Sequence, residues 1–159
     1  MDKIEQLICQ TIDAHKDEII AFGRDIWHHA ELGYQEVRTS KKFSDKLTSL
    51  GIQNQTGLAI TGVKGYLKDP QKTSGPVIAL QGEMDALPMS KHKDANPETG
   101  AAHCCGHHAQ LTGVFGAAIA LTIPEVRDAL NGNIVFMGVP AEENVDRAYR
   151  KKLIEEGKI

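Results

Sequence analysis

Val77-Ile78-Ala79-Leu80-Gln81-Gly82-Glu83-Met84-Asp85-Ala86-Leu87-Pro88 is the stretch on which the fold turns. Its first half is a nearly continuous apolar run, the pattern of a central strand covered on both faces. It delivers two carboxylates, Glu83 and Asp85, at its C-terminal end, where α/β folds place their chemistry. Taken alone, the two acids are equally compatible with a solvated turn. A second apolar run, Ile134 to Val139, delivers Pro140-Ala141-Glu142-Glu143 in the same way. Between the runs, Leu111, Val114, Phe115, Ala118 and Leu121 recur at helical spacing. Small residues among them (Gly113, Gly116, Ala117, Ala120) predict a buried helix lying close to a sheet. Pro124 ends that helix, Glu125 to Leu130 reads as one further turn, and Asn131-Gly132 is a turn signal.

Working outward, Ile4, Leu7, Ile8, Ile12, Ile19 and Ile20 predict one amphipathic helix running toward Trp27. Thr39 or Ser40 is placed to cap a second helix with Phe43, Leu47 and Leu50 on its apolar side and Gly51 as its stop. Ile52–Thr56 and Ile60–Leu67 read as strands, residues 68–76 and 90–100 as polar loops, and Val145–Glu156 as a final helix closed by Gly157. The order α-α-β-β-β-α-β-α predicts an α/β/α sandwich with a mixed, mainly parallel sheet.

The chain has 159 residues, enough for a core, with 41% hydrophobic and 25% charged residues. A net charge of -3 gives no basis for binding nucleic acid or an anionic membrane. No apolar run reaches the roughly 20 residues of a membrane-spanning helix. The start, Met1-Asp2-Lys3-Ile4-Glu5, is unlike a signal peptide. Three cysteines, two of them adjacent, do not make a disulfide framework, which suits a reducing cytoplasm.

His103-Cys104-Cys105-Gly106-His107-His108 concentrates side chains that bind borderline-soft divalent metals. Residues i and i+2 diverge by about 200° on a helix, so Cys105 and His107 reach one ion only from a turn. Gly106 permits that turn just ahead of the helix. Unliganded thiols and surface imidazoles are the bland alternative. The acids Glu83/Asp85 and Glu142/Glu143 strengthen the metal reading, because strand ends of one sheet bring such groups together. An ion held by Cys105, His107 and a carboxylate polarises an amide carbonyl and lowers the pKa of a water toward ~7. Glu142 and Glu143, pointing in different directions, supply one ligand and one general base between them.

Four ordered blocks then resemble a known family. His29-Ala30-Glu31-Leu32-Gly33 is similar to its His-Pro-Glu-Leu-Gly element, and Met84-Asp85-Ala86-Leu87-Pro88 to its Asp-Met-Asp-Ala-Leu-Pro strand end. His103-Cys104-Cys105-Gly106-His107 resembles His-Ala-Cys-Gly-His, and Pro140-Ala141-Glu142-Glu143 matches Pro-Ala-Glu-Glu. These are blocks of the metal-dependent amidohydrolases of the aminoacylase/carboxypeptidase metallopeptidase superfamily, in the branch of hippurate, indole-acetyl-amino-acid and aminobenzoyl-glutamate hydrolases. The resemblance implies Cys105, His107 and Glu143 as metal ligands, Glu142 as general acid/base, and Asp85 as support for the metal site. It implies N-acyl amino acids or short peptide-like amides as substrates. It also implies zinc, manganese or cobalt, two ions in the full-length enzyme, and a homodimer.

The chain departs from the branch in having Glu83 for Asp, His108 for Asp and Gln110 for His. Members are more than twice as long, with two further metal-binding histidines and an inserted dimerisation and lid domain. Residues 1–159 are therefore expected to be the N-terminal portion of a catalytic domain, weakly active or inactive alone, with an uncovered sheet edge. Two other readings compete. One is a non-catalytic metal-binding fragment that needs a complementary chain; the other is a thiol redox protein using Cys104-Cys105.

Overall fold

The computed structural model describes residues 1–143 and 147–159. Helix α1 (Lys3–Ala14) starts at Asp2, which forms a reciprocal capping box with Glu5. Helix α2 (Lys16–His28) follows directly. The single helix expected here is thus two, broken at His15, whose φ of -102° and ψ of 8° leave the helical region. The apolar stripe lapses between Ile12 and Ile19, so no buried side chain holds the backbone helical across His15.

Helix α3 (Val37–Ser49) buries Phe43 and Leu47 and is followed by Gly51 with φ of 76°. Its cap differs from expectation. Thr39 and Ser40 lie inside the helix. The Glu31 carboxylate, from the segment before the helix, accepts the Arg38 and Thr39 N–H groups at 2.9 and 2.8 Å. A carboxylate there satisfies orphan donors and suits the helix dipole.

The strands are β1 (Asn54–Leu58), β2 (Gly62–Tyr66), β3 (Val77–Glu83), β4 (Leu87–Pro88), β5 (Ala101–Ala102) and β6 (Asn133–Val139). Helix α4 (His107–Leu121) and α5 (Pro124–Ala129) connect β5 to β6, and α6 (Arg147–Glu155) follows. Part of the expected last helix, including Val145, lies outside the described residues.

The main sheet has the order β1-β2-β6-β3. It is mixed: β3 and β6 run parallel, with Val77 opposite Asn133 and Glu83 opposite Val139. The β1–β2 and β2–β6 pairings are antiparallel. β6 is a largely buried inner strand. β3, expected in the centre, is an edge strand instead, and Val77 and Ile78 are each 57% exposed. An apolar run reports the hydrophobicity of a strand, whereas its rank in the sheet depends on partners elsewhere in the chain.

Helices α3 and α4 share one face of the sheet. Gly82 and Gly138 are register partners on that face. A Cβ on Gly82 would meet the Leu111 backbone of α4 at 2.7 Å, and one on Gly138 would meet the Phe43 ring of α3 at 3.0 Å. The glycines let both helices sit close. The core between the layers gathers Phe22, Ile26, Phe43, Leu47, Met84, Leu111, Phe115 and Phe136. Each such side chain contributes about 1.5–3 kcal/mol by leaving water.

The segment between α2 and α3 is laid against the end of β3. Leu32 bridges Ala86 in parallel fashion, and the Ala86 N–H donates to the Glu31 carbonyl at 2.8 Å. The loop between β4 and β5 clamps the same segment, since Asn96 and Thr99 side chains both donate to the Ala30 carbonyl.

Candidate metal centre

Parallel pairing brings the C-terminal ends of β3 and β6 side by side, and with them the two acidic segments. The Met84 N–H donates to the Val139 carbonyl at 3.0 Å just beyond the register. Gly106, with φ of 98° and open space where a Cβ would stand, forms the expected bend and starts α4 at His107. Cys105 stays on the loop and His107 becomes the first helical residue.

His107 is 1% exposed. Its Nδ1 lies 2.9 Å from the Asp85 carbonyl and 3.1 Å from Asp85 Oδ1. Two acceptors at one nitrogen assign the proton to Nδ1 and leave the Nε2 lone pair free in the neutral ring. Nε2 faces Glu83 Oε2 at 3.1 Å, Glu142 Oε2 at 3.7 Å and Glu143 Oε1 at 3.7 Å. The other oxygen of Asp85, Oδ2, accepts the Glu143 N–H at 3.0 Å. One buried carboxylate thus orients the imidazole and holds the segment carrying Glu143.

Two sets of ligand atoms converge, each within 4.8 Å of one another: Cys105, His107 and Glu143, and Glu83, His107 and Glu142. Ligands of one tetrahedral ion sit roughly 3.3–3.8 Å apart, so small side-chain rotations close the gap. The donor chemistry fits a borderline divalent ion: thiol, free imidazole nitrogen and carboxylate. The surroundings supply a further sign. A hydrogen bond to Glu143, some loss of solvent and the charges of Glu143, Glu142 and Glu83 push the Cys105 thiol up to about 11. A cluster of carboxylates around a thiol lacks a positive partner, and a divalent cation supplies one.

All five residues singled out in the sequence therefore meet: Asp85, Cys105, His107, Glu142 and Glu143. Glu83 joins them, with its carboxylate nearer to His107 Nε2 than either glutamate of the second segment. Its position two residues before Asp85 was the available signal. Glu36 also belongs to the surroundings of the site, and no local pattern marks it. The flanking residues go elsewhere. His103 is buried, and both its ring nitrogens lack a hydrogen-bond partner among the described residues. Burial, then the neighbouring His108 and His107, pushes it down to about 3. His108 packs edge-on against Trp27 with centroids 4.6 Å apart. Cys104 is exposed and free, and the described cysteines form no disulfide.

Residues 79–158 match the model of peptidase family M20/M25/M40. The chain belongs to this family. It is 37% identical over 146 residues to the IAA-amino acid hydrolase ILR1-like 5 of Arabidopsis thaliana, covering 89% of this chain and 32% of that protein. It is 33% identical to the N-acetylcysteine deacetylase of Bacillus subtilis, covering 91% and 37%. Among solved structures, the Bacillus subtilis YXEP protein, described as a dinuclear metal-binding peptidase of the M20 family, superposes with a TM-score of 0.70 at 32% identity. That likeness covers 91% of this chain and 40% of the other. The chain thus spans about a third of the length of the curated relatives it matches.

Proposed function

We propose that this chain carries the N-terminal share of a metal-dependent amidohydrolase centre acting on N-acyl amino acids or short peptide-like amides. The observation that carries the reading is His107. Its Nδ1 is engaged by Asp85, while its Nε2 looks into a space bordered by Cys105, Glu143, Glu142 and Glu83. Cys105, His107 and Glu143 are the residues proposed to hold zinc, manganese or cobalt. A divalent ion bound there supplies a Lewis acid for the amide carbonyl and acidifies a water.

The chain's own groups divide the remaining work. Asp85 keeps the His107 proton on Nδ1, so that Nε2 stays available. Its hold on the Glu143 N–H fixes where the Glu143 carboxylate points. Glu142, 48% exposed at its side chain and 3.7 Å from Nε2, reaches the solvent side. It takes the proton of the attacking water and returns it to the departing amine nitrogen. A two-ion site, a homodimer and a cytoplasmic location are proposed for the full-length protein, with a lid and dimerisation domain beyond the residues described.

Titration of this chain with Co2+, followed by hydrolysis of N-acetyl amino acids, tests the reading. Binding that disappears in Cys105→Ala supports it; an unaltered Co2+ affinity in that variant removes Cys105 from the ligand set. A second reading is favoured by the donor set of three protein ligands and by the third of the relatives' length that the chain spans. Here the chain binds metal but hydrolyses nothing until a complementary chain supplies more ligands. Metal uptake without turnover, with activity restored by the complementary segment of a relative, distinguishes it.

A further inference from the structure

Glu36 is fully buried, yet it is a carboxylic acid at the start of a helix. It stands at the N-cap position of α3, and its side chain makes no capping bond there. Glu31 provides the cap instead. The Glu36 carboxyl turns away to two distant segments. Its Oε2 accepts the Thr61 hydroxyl at 2.6 Å, and its Oε1 accepts the Ala141 N–H at 2.8 Å, across 105 positions of sequence.

Ala141 directly precedes Glu142 and Glu143. Its φ of 53° lies in the left-handed region, which is strained for an alanine and persists only where neighbours impose it. The Glu36 bond is such a constraint. Gly33 leaves the room for it, since a Cβ there would stand 3.0 Å from the Ala141 Cβ and 3.1 Å from its Cα. The segment 140–143 is therefore pinned at both ends by buried carboxyl groups, Glu36 at Ala141 and Asp85 at Glu143. Glu142 lies between the two pins.

We propose that Glu36 is a positioning residue of the metal centre, holding Ala141 in its left-handed conformation so that Glu142 and Glu143 face His107. This rests on the metal-centre reading above. Burial pushes the Glu36 carboxyl up, while the Thr61 hydroxyl and the backbone N–H groups of Glu36, Ala141 and Tyr34 hold it down, as befits a buried acceptor engaged by several donors. Glu36 touches no ligand atom. It acts through the backbone of the segment that carries two of the site's acids.

The test uses this chain in three variants, Glu36→Ala, Glu36→Gln and Thr61→Val. Two readouts are taken: Co2+ affinity, and exchange of the Ala141 and Glu143 amide protons without metal. Loss of a supporting contact of this kind weakens metal binding by about tenfold or more, the result expected for Glu36→Ala, with faster exchange at both amides. The carboxamide of Glu36→Gln still accepts the Ala141 N–H and donates to the Thr61 oxygen. It is expected to keep the affinity within about threefold. Thr61→Val removes one of the two bonds and is expected to speed exchange at Ala141.

A folded Glu36→Ala with wild-type affinity and exchange overturns the proposal. If Glu36→Ala does not fold, Thr61→Val decides: faster Ala141 exchange supports the proposal, and unchanged exchange overturns it. If the wild-type chain binds no Co2+, the metal reading fails, while the amide exchange still decides whether Glu36 holds the segment.

Discussion

Single residues set the chemistry here through which of their atoms are already occupied. His107 is useful because Asp85 has taken one nitrogen and left the other. Glu142→Gln keeps the size and removes the base. On the proposed function it is expected to lower kcat by roughly 10²-fold or more with metal affinity little changed, as read by turnover of the full-length protein and Co2+ titration of this chain. Cys105 gives a second prediction. Its thiol, pushed up to about 11 by Glu143 and the neighbouring acids, is mostly protonated at pH 8. Iodoacetamide is therefore expected to label it more slowly than the exposed Cys9 and Cys104 in mass-spectrometric mapping. Fast labelling of Cys105 would favour a thiol redox role instead. The short span from His103 to His108 made Cys105 and His107 legible in sequence, because ligand type and the intervening glycine are local facts. Glu83 was legible as an acid at the end of a strand but not as a neighbour of His107, and Glu36 was not legible at all. Their partners are 24 and 105 positions distant, and nothing beside them in the chain announces burial.

Helices and strands place these residues through a few close contacts. Gly82→Ala would drive a methyl group into the Leu111 backbone at 2.7 Å, where neither partner yields as a flexible side chain does. It is expected to destabilise the fold by about 1–3 kcal/mol, measurable by urea unfolding, and to displace α4 and the His107 at its start. Between α2 and α3 the tie is electrostatic. Asp25 receives both terminal nitrogens of Arg38 at 2.8 Å, with Lys42 at 3.1 Å. The Arg38 guanidinium, aided by Lys42, holds the Asp25 carboxyl down to about 2 from its ordinary 3.8. A folded-state value below the unfolded one stabilises above pH 4 and is lost as pH falls toward 2. Wild-type urea midpoints are accordingly expected to drop between pH 4 and pH 2 more than those of Asp25→Asn. Element types were legible because apolar periodicity is a local signal, as in α4 and β6. The break at His15 and the cap by Glu31 escaped, since one is an interruption in tertiary support and the other a contact made from outside the helix.

At the scale of the molecule, the sheet ends at β3, whose outer backbone edge is unpaired among the described residues. Exposed apolar side chains beside an open edge invite pairing with another copy. Ile78→Lys is expected to reduce self-association in sedimentation velocity while leaving the Co2+ affinity of the chain intact; unchanged association would place the sticky surface elsewhere. The sequence showed that strands β3 and β6 exist and carry acids at their ends, but the antiparallel return of β2 beside β6 was hidden, because pairing partners are decided by the whole chain. The parallel pair also has a consequence in time. Its two strands lie more than fifty positions apart, and α4 and α5 must be threaded between them before the register closes. Closing so large a loop is slow. The proposed ligand cluster does not exist until that closure is complete, so an ion arriving early would find scattered donors and no pocket. A metal would then act as a latch applied at the end of folding, lengthening the lifetime of the finished molecule and leaving the speed of its formation untouched.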